Sequence, residues 1–131
     1  MQTRNQKFAV KVFRKIEDLQ REFPDENSSE RKKYGAMAHK LPVLIRTAGL
    51  AQALGFLQAK SSEAMNARLL RDLAATLDKT NEAELLLHSR GGNNQTLADY
   101  LRLTQDALAA LLWYKRFAES VLDVKAGEQG E

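Results

Sequence analysis

The sequence has 131 residues and no cysteine, which excludes a disulfide scaffold, a thiolate metal site and a cysteine nucleophile. That length points to one domain, large enough to bury a core without a metal or disulfide staple. The net charge of +3 hides an asymmetry: residues 1–60 carry 12 Lys/Arg against 6 Asp/Glu, residues 61–131 carry 8 against 11, and no acid falls between Glu30 and Glu63. Such a distribution suits a polyanion or an acidic partner, or else it is a solvated basic face.

The chain reads as helix throughout, because it has two prolines and no period-two alternation of strand length. The expected fold is all-α, a single compact bundle of about five to six helices. A first helix is predicted over residues 3–22. At ~100° per residue, Phe8, Val12, Ile16, Leu19 and Phe23 share one face, with Arg4, Lys7, Lys11 and Arg14 opposite. Pro24 ends it, since the residue before a proline is pushed out of the helical region. A second helix starts at Asn27 or Ser28, where Asn27 and Glu30 have the spacing of a capping box. Its inward side is Tyr34, Met37, Ala38 and Leu41; its outer side is Lys32, Lys33, Ala36, His39 and Lys40. Pro42 is expected to break or kink the chain, with a third helix over residues 43–59, either continuous or restarting near Thr47.

In that third segment Val43, Leu44, Ile45, Leu50, Ala53, Leu54, Phe56 and Leu57 point all around the axis, a pattern that demands burial on more than one side. It is not a membrane span: a span needs ~20 apolar residues, and a central arginine such as Arg46 costs roughly 3 kcal/mol. Gly49 and Gly55 each cost ~1 kcal/mol in a helix interior, which is tolerable where another helix must approach closely. A fourth helix is predicted over residues 62–78, capped by Ser61 or Ser62, with Leu69, Leu70, Leu73 and Leu77 inward. A short fifth covers residues 81–88, and Gly91-Gly92-Asn93-Asn94 is a loop. Thr96 with Asp99 caps a long last helix over residues 96–122. Its apolar arc, from Leu97, Leu101, Leu108 and Leu112 round to Leu103, Ala107, Tyr114 and Phe117, covers more than half the circumference. The helix is therefore central to the bundle or faces a partner. The domain is placed at residues 1–124, followed by a polar, frayed tail at 125–131.

The polar inventory argues against an enzyme. His39 and His88 are the two histidines, and His88 follows Glu84 by four residues without the further carboxylates and second Glu-His pair of a helical di-metal site. No phosphate-binding glycine loop and no nucleophile elbow occur. No metal and no cofactor are expected. The beginning of the chain lacks an apolar run of signal-peptide length, so a cytoplasmic location is expected.

Candidate contacts to a nucleic-acid backbone are Lys32, Lys33 and Lys40, with the small Ala36 between them, and Arg46. Lys7, Lys11, Arg14, Lys115 and Arg116 form a second rank. Arg46 either anchors a phosphate or pairs with an acid inside the fold, and Trp113 either stacks on a base or partner or lies under a neighbouring helix. Lys115 projects near the apolar arc, where snorkelling past the core edge accounts for it.

Two stretches resemble one family. Arg31, Tyr34-Gly35, Ala38, then Leu41-Pro42-x-Leu44-Ile45-Arg46-x-x-Gly49-Leu50-x-Gln52-Ala53-Leu54-x-Phe56-Leu57 is similar to the signature of the small subunit of the type III-B CRISPR effector, the Cmr RNA-guided complex. Leu112-Trp113-Tyr114-Lys115-Arg116-Phe117-Ala118-Glu119 resembles that family's carboxy-terminal pattern. Residues 62–95 match no such pattern. The resemblance implies a small all-α subunit without its own nuclease, present in several copies along a ribonucleoprotein filament. Its partners would be CRISPR RNA, target RNA and other effector subunits, with self-association along the filament and no membrane. The alternative from charge and periodicity alone is a helical scaffold or adaptor whose basic face meets an acidic protein.

Overall fold

A computed structural model describes residues 2–92 and 94–126. Among them lie six helices and no strand: α1 (Arg4–Glu22), α2 (Ser29–Ala48), α3 (Leu50–Ala59), α4 (Ala64–Thr76), α5 (Glu82–Ser89) and α6 (Leu97–Ser120). Asn93 in the expected loop and residues 127–131 of the expected tail lie outside the described residues.

Local chemistry sets most boundaries. Thr3 and Gln6 close a reciprocal capping box at the start of α1, and Thr96 and Asp99 close the expected one at the start of α6. Asn81 caps α5 by accepting the Glu84 N–H at 3.0 Å. Ser28, not Asn27, caps α2, accepting the Arg31 N–H.

Three boundaries differ from expectation. α2 runs through Pro42 without interruption. Pro42 has no N–H to offer the preceding turn, but Ala38, Leu41, Pro42 and Ile45 are all buried, and that packing outweighs one lost hydrogen bond. The chain breaks instead at Gly49, whose φ of 90° favours glycine. The Leu50 N–H, orphaned at the start of α3, donates to the Tyr100 hydroxyl at 3.2 Å. α4 starts at Ala64 rather than at Ser62, because Ser61 and Glu63 are engaged in a turn through bonds from their N–H groups to Gln58 and Lys60 carbonyls. It stops at Thr76, just before Asp78 at φ 59°, where the Lys79 N–H closes back on the Ala74 carbonyl at 2.9 Å.

α6 packs along both α1 and α2, and α4 lies beneath them. Phe8, Val12, Ile16 and Leu19 of α1 are buried, as their spacing predicts. At the centre, the Tyr34 hydroxyl donates to Asp72 Oδ2 at 2.7 Å, and Thr76 Oγ1 lies 2.8 Å from the Tyr114 hydroxyl while donating to the Asp72 carbonyl. Burial raises the Asp72 carboxyl above the usual carboxylate range, against the opposing pull of the Tyr34 hydrogen bond and of Arg68 and Arg71.

Past α6 the chain turns back at Asp123, φ 59°, and lays residues 121–124 over α2. Arg31, buried, donates to the backbone carbonyls of Val121 at 3.2 Å, Pro24 at 3.3 Å and Phe23 at 3.4 Å. Gly35 presses directly on the Val124 side chain. His39 Nε2 donates to the Val124 carbonyl at 2.9 Å. His39 is therefore buried under the returning chain and not on the outer cationic side where periodicity placed it.

Candidate nucleic-acid interface

Two of the four candidate cations of α2, Lys33 and Lys40, line a common groove. Tyr34 and Tyr114 both turn toward α4, through Asp72 and Thr76. Lys33 and Lys40 turn toward α3 and α4, whereas at ~100° per residue Lys32, Val43 and Arg46 lie roughly 60–140° further round the helix.

Lys33 and Lys40 border an open groove of about 350 Å³ between α2, α3 and the start of α4, with Ala36 on its wall. Phe56 and Lys60 of α3 line the same groove. The Lys40 and Lys60 ammonium groups sit 5.7 and 5.1 Å from the centroid of the Phe56 ring. Lys33 pairs with Glu63 at 3.3 Å, and neither Lys40 nor Lys60 has an ion-pair partner among the described residues. The groove thus keeps two uncompensated positive charges over an aromatic floor. Sequence spacing singles out neither Lys60 nor Phe56 as a contact. Both lie in the acid-free interval, but their meeting with Lys40 depends on the turn at Gly49.

Exposed apolar side chains of α2 and α6 lie outside the groove. Val43, Leu97, Leu101 and Leu112 are 55, 73, 52 and 38 % exposed. Counted from Tyr34 and Tyr114, helical geometry turns Val43, Leu101 and Leu112 away from α4, while Leu97 borders Ala51 of α3 and Ser89 and Arg90 at the end of α5. Half-buried Lys32 and exposed Arg46 and Lys115 also lie outside the groove. Arg46 has no salt bridge among the described residues.

The α1 stripe is partly neutralised. Lys11 pairs with Asp78 at 2.5 Å and Arg4 with Asp106 at 2.7 Å, while Lys7 and Arg14 are exposed. Trp113 is held against α1 by a 3.0 Å bond from Nε1 to Asn5 and stacks on Phe117, with the exposed Arg116 guanidinium 5.0 Å from its ring. That is the packing role, leaving the ring poorly placed for a base. His88 Nδ1 lies 2.9 Å from Lys79 Nζ, and Glu84 accepts the Thr80 N–H at 3.3 Å. That backbone bond holds the Glu84 carboxyl below its ordinary range. No group of three or more metal-ligating side chains occurs among the described residues, and no described helix is long and apolar enough to cross a membrane.

The six helices pack into a small all-α bundle. It superposes with a TM-score of 0.78 on the X-ray crystal structure of a CRISPR-associated Cmr5 family protein from Thermus thermophilus, at 39 % identity, covering 92 % of this chain and 98 % of that one. The family model described as CRISPR-associated protein (Cas_Cmr5) matches residues 4–121. The CRISPR system Cmr subunit Cmr5 of Thermus thermophilus is 39 % identical over 123 residues, 94 % of this chain and 99 % of that protein. The chain belongs to the Cmr5 family, the small-subunit family that its two motifs resemble.

Proposed function

We propose that the protein is a non-catalytic small subunit of a type III-B CRISPR RNA-guided effector complex. It supports guide and target RNA binding with its exposed cations, and it joins neighbouring subunits, other copies of itself among them, through the leucine face of α6. The observation that carries this reading is the groove in which Lys33, Lys40 and Lys60 meet a single carboxylate, Glu63. Uncompensated lysines at a surface groove gain affinity for RNA by displacing condensed counterions. Lys7, Arg14, Arg46, Lys115 and Arg116, all exposed, are further backbone contacts in this reading, and Lys32 and Lys11 lesser ones. The exposed leucines and Val43 supply the apolar area that a subunit interface needs. A cytoplasmic location and a single domain over residues 1–124 belong to the same reading, and the burial of Val124 supports that boundary.

The test is a Lys32/Lys33/Lys40→Glu variant in the assembled complex, measured for target-RNA affinity across a salt series. Affinity should fall at low salt, and the log–log salt slope should shrink by about 0.7 for each single-strand phosphate that the variant no longer neutralises. Unchanged affinity at low salt would refute the assignment. Co-purification tests the adaptor alternative, which expects protein partners and no nucleic acid.

A further inference from the structure

We propose that the groove between α2, α3 and α4 receives one unstacked nucleotide of single-stranded RNA, its base on Phe56 and its phosphate between Lys40 and Lys60. The proposal rests on the RNA-binding reading above and assigns it a particular pocket and substrate form. Two ammonium groups converge on one phenyl ring, at 5.7 and 5.1 Å. Each gains from the ring's negative face, yet they repel one another, and no carboxylate among the described residues pairs with either. The ligand that suits this groove is an anion with a flat, polarisable body: the anion neutralises the lysines, and the body stacks on the ring. A nucleotide has both parts. The groove, about 350 Å³, falls in the range of small-ligand sites and is open at the surface, so a strand can enter and leave it. Asn66, buried, donates from Nδ2 to the Lys60 carbonyl at 3.2 Å and fixes the turn that presents Lys60. A paired base cannot reach the ring without leaving its stack, so duplex RNA is not a substrate for this pocket.

The experiment compares a short single-stranded RNA with the same strand in a duplex, binding to the full-length protein across a salt series. Phe56→Leu should weaken single-strand binding at least fivefold, the lower end of one base–aromatic stack. The salt slope and duplex binding should not change, and Phe56→Tyr should bind as the parent does. A Lys40→Gln/Lys60→Gln variant should lower the slope by about 0.7, the value for one single-strand phosphate. The inference is overturned, with the RNA-binding reading intact, if the parent binds single strands with a salt slope and Phe56→Leu binds them equally well, or loses single-strand and duplex binding alike. A parent protein and complex that bind no single-stranded RNA would overturn both.

Discussion

Gly35 and Gly55 both sit inside helices, and the same substitution should have opposite effects at the two. A Cβ at Gly35 would stand 2.6, 2.7 and 2.9 Å from Val124 Cβ, Cγ1 and Cγ2, whereas a Cβ at Gly55 meets nothing within 4 Å. Alanine gains ~1 kcal/mol over glycine in a helix interior, so Gly55→Ala should stabilise by about that amount. At Gly35 the same gain is set against one of two losses. If the segment stays in place, forced overpacking costs about 1–3 kcal/mol. If it peels away, the burial of Val124 is lost, ~1.5–2 kcal/mol, and with it the His39 hydrogen bond, ~1 kcal/mol. The first route leaves Gly35→Ala about 0–2 kcal/mol, and the second about 1.5–2 kcal/mol, less stable than the parent. Urea denaturation of both variants reads the difference, and a melt should show Gly35→Ala lower by up to about 8 °C. Hydrogen exchange at the Val124 amide, which donates to the Ala118 carbonyl at 2.8 Å, separates the two routes. A Gly35→Ala variant stabilised as much as Gly55→Ala would refute the packing of residues 121–124 on α2.

Asp72 should make stability depend on pH in an unusual direction. Because burial raises its folded value, the folded state holds the proton where the unfolded chain has released it. This contribution is fully present below the unfolded value of about 3.9 and declines as pH rises through the raised folded value. Denaturation curves from pH 4 upward should show that decline in the parent and its absence in Asp72→Asn. Gly49→Ala should cost about 1–3 kcal/mol, since a φ of 90° strains any L side chain. Thermal melting checks it, and a neutral result would mean that the α2–α3 break can relocate.

What the sequence made legible was local. The 3-4 spacing of Phe8, Val12, Ile16 and Leu19 and the Thr96–Asp99 cap depend on neighbours within a turn or two, and both stand as expected. Pro42 and Gly49 illustrate the opposite case. Both are helix-breaking residues by local rule, and only the burial of Pro42 against the positive φ of Gly49 decides between them. Periodicity gave Lys32, Lys33, Lys40 and His39 one outer side. It could not know that α3 folds back beside Lys33 and Lys40, or that the chain end returns from some 85 residues away to bury His39. Lys60 and Phe56 escaped for the same reason: nothing within α3 marks them until the Gly49 turn carries them to Lys40. Asp72 carried no signal, because a lone aspartate on a helix is ordinary until Tyr34 reaches it across 38 residues.

The packing of α1 on α6 has a consequence during synthesis. The contacts that cover α1 join opposite ends of the chain, with the Asn5–Trp113 bond spanning 108 residues. Translation at ~5–20 residues per second leaves the apolar face of α1 without its last cover for roughly 5–20 s. For that interval Phe8, Val12, Ile16 and Leu19 are a sticky amphipathic segment on a growing chain. Closure of the bundle is therefore largely a post-translational event, slower than for a helical protein whose neighbouring helices pack in order. Ribosome-bound chains ending before Trp113 should be open to protease within α1, and the completed chain should not.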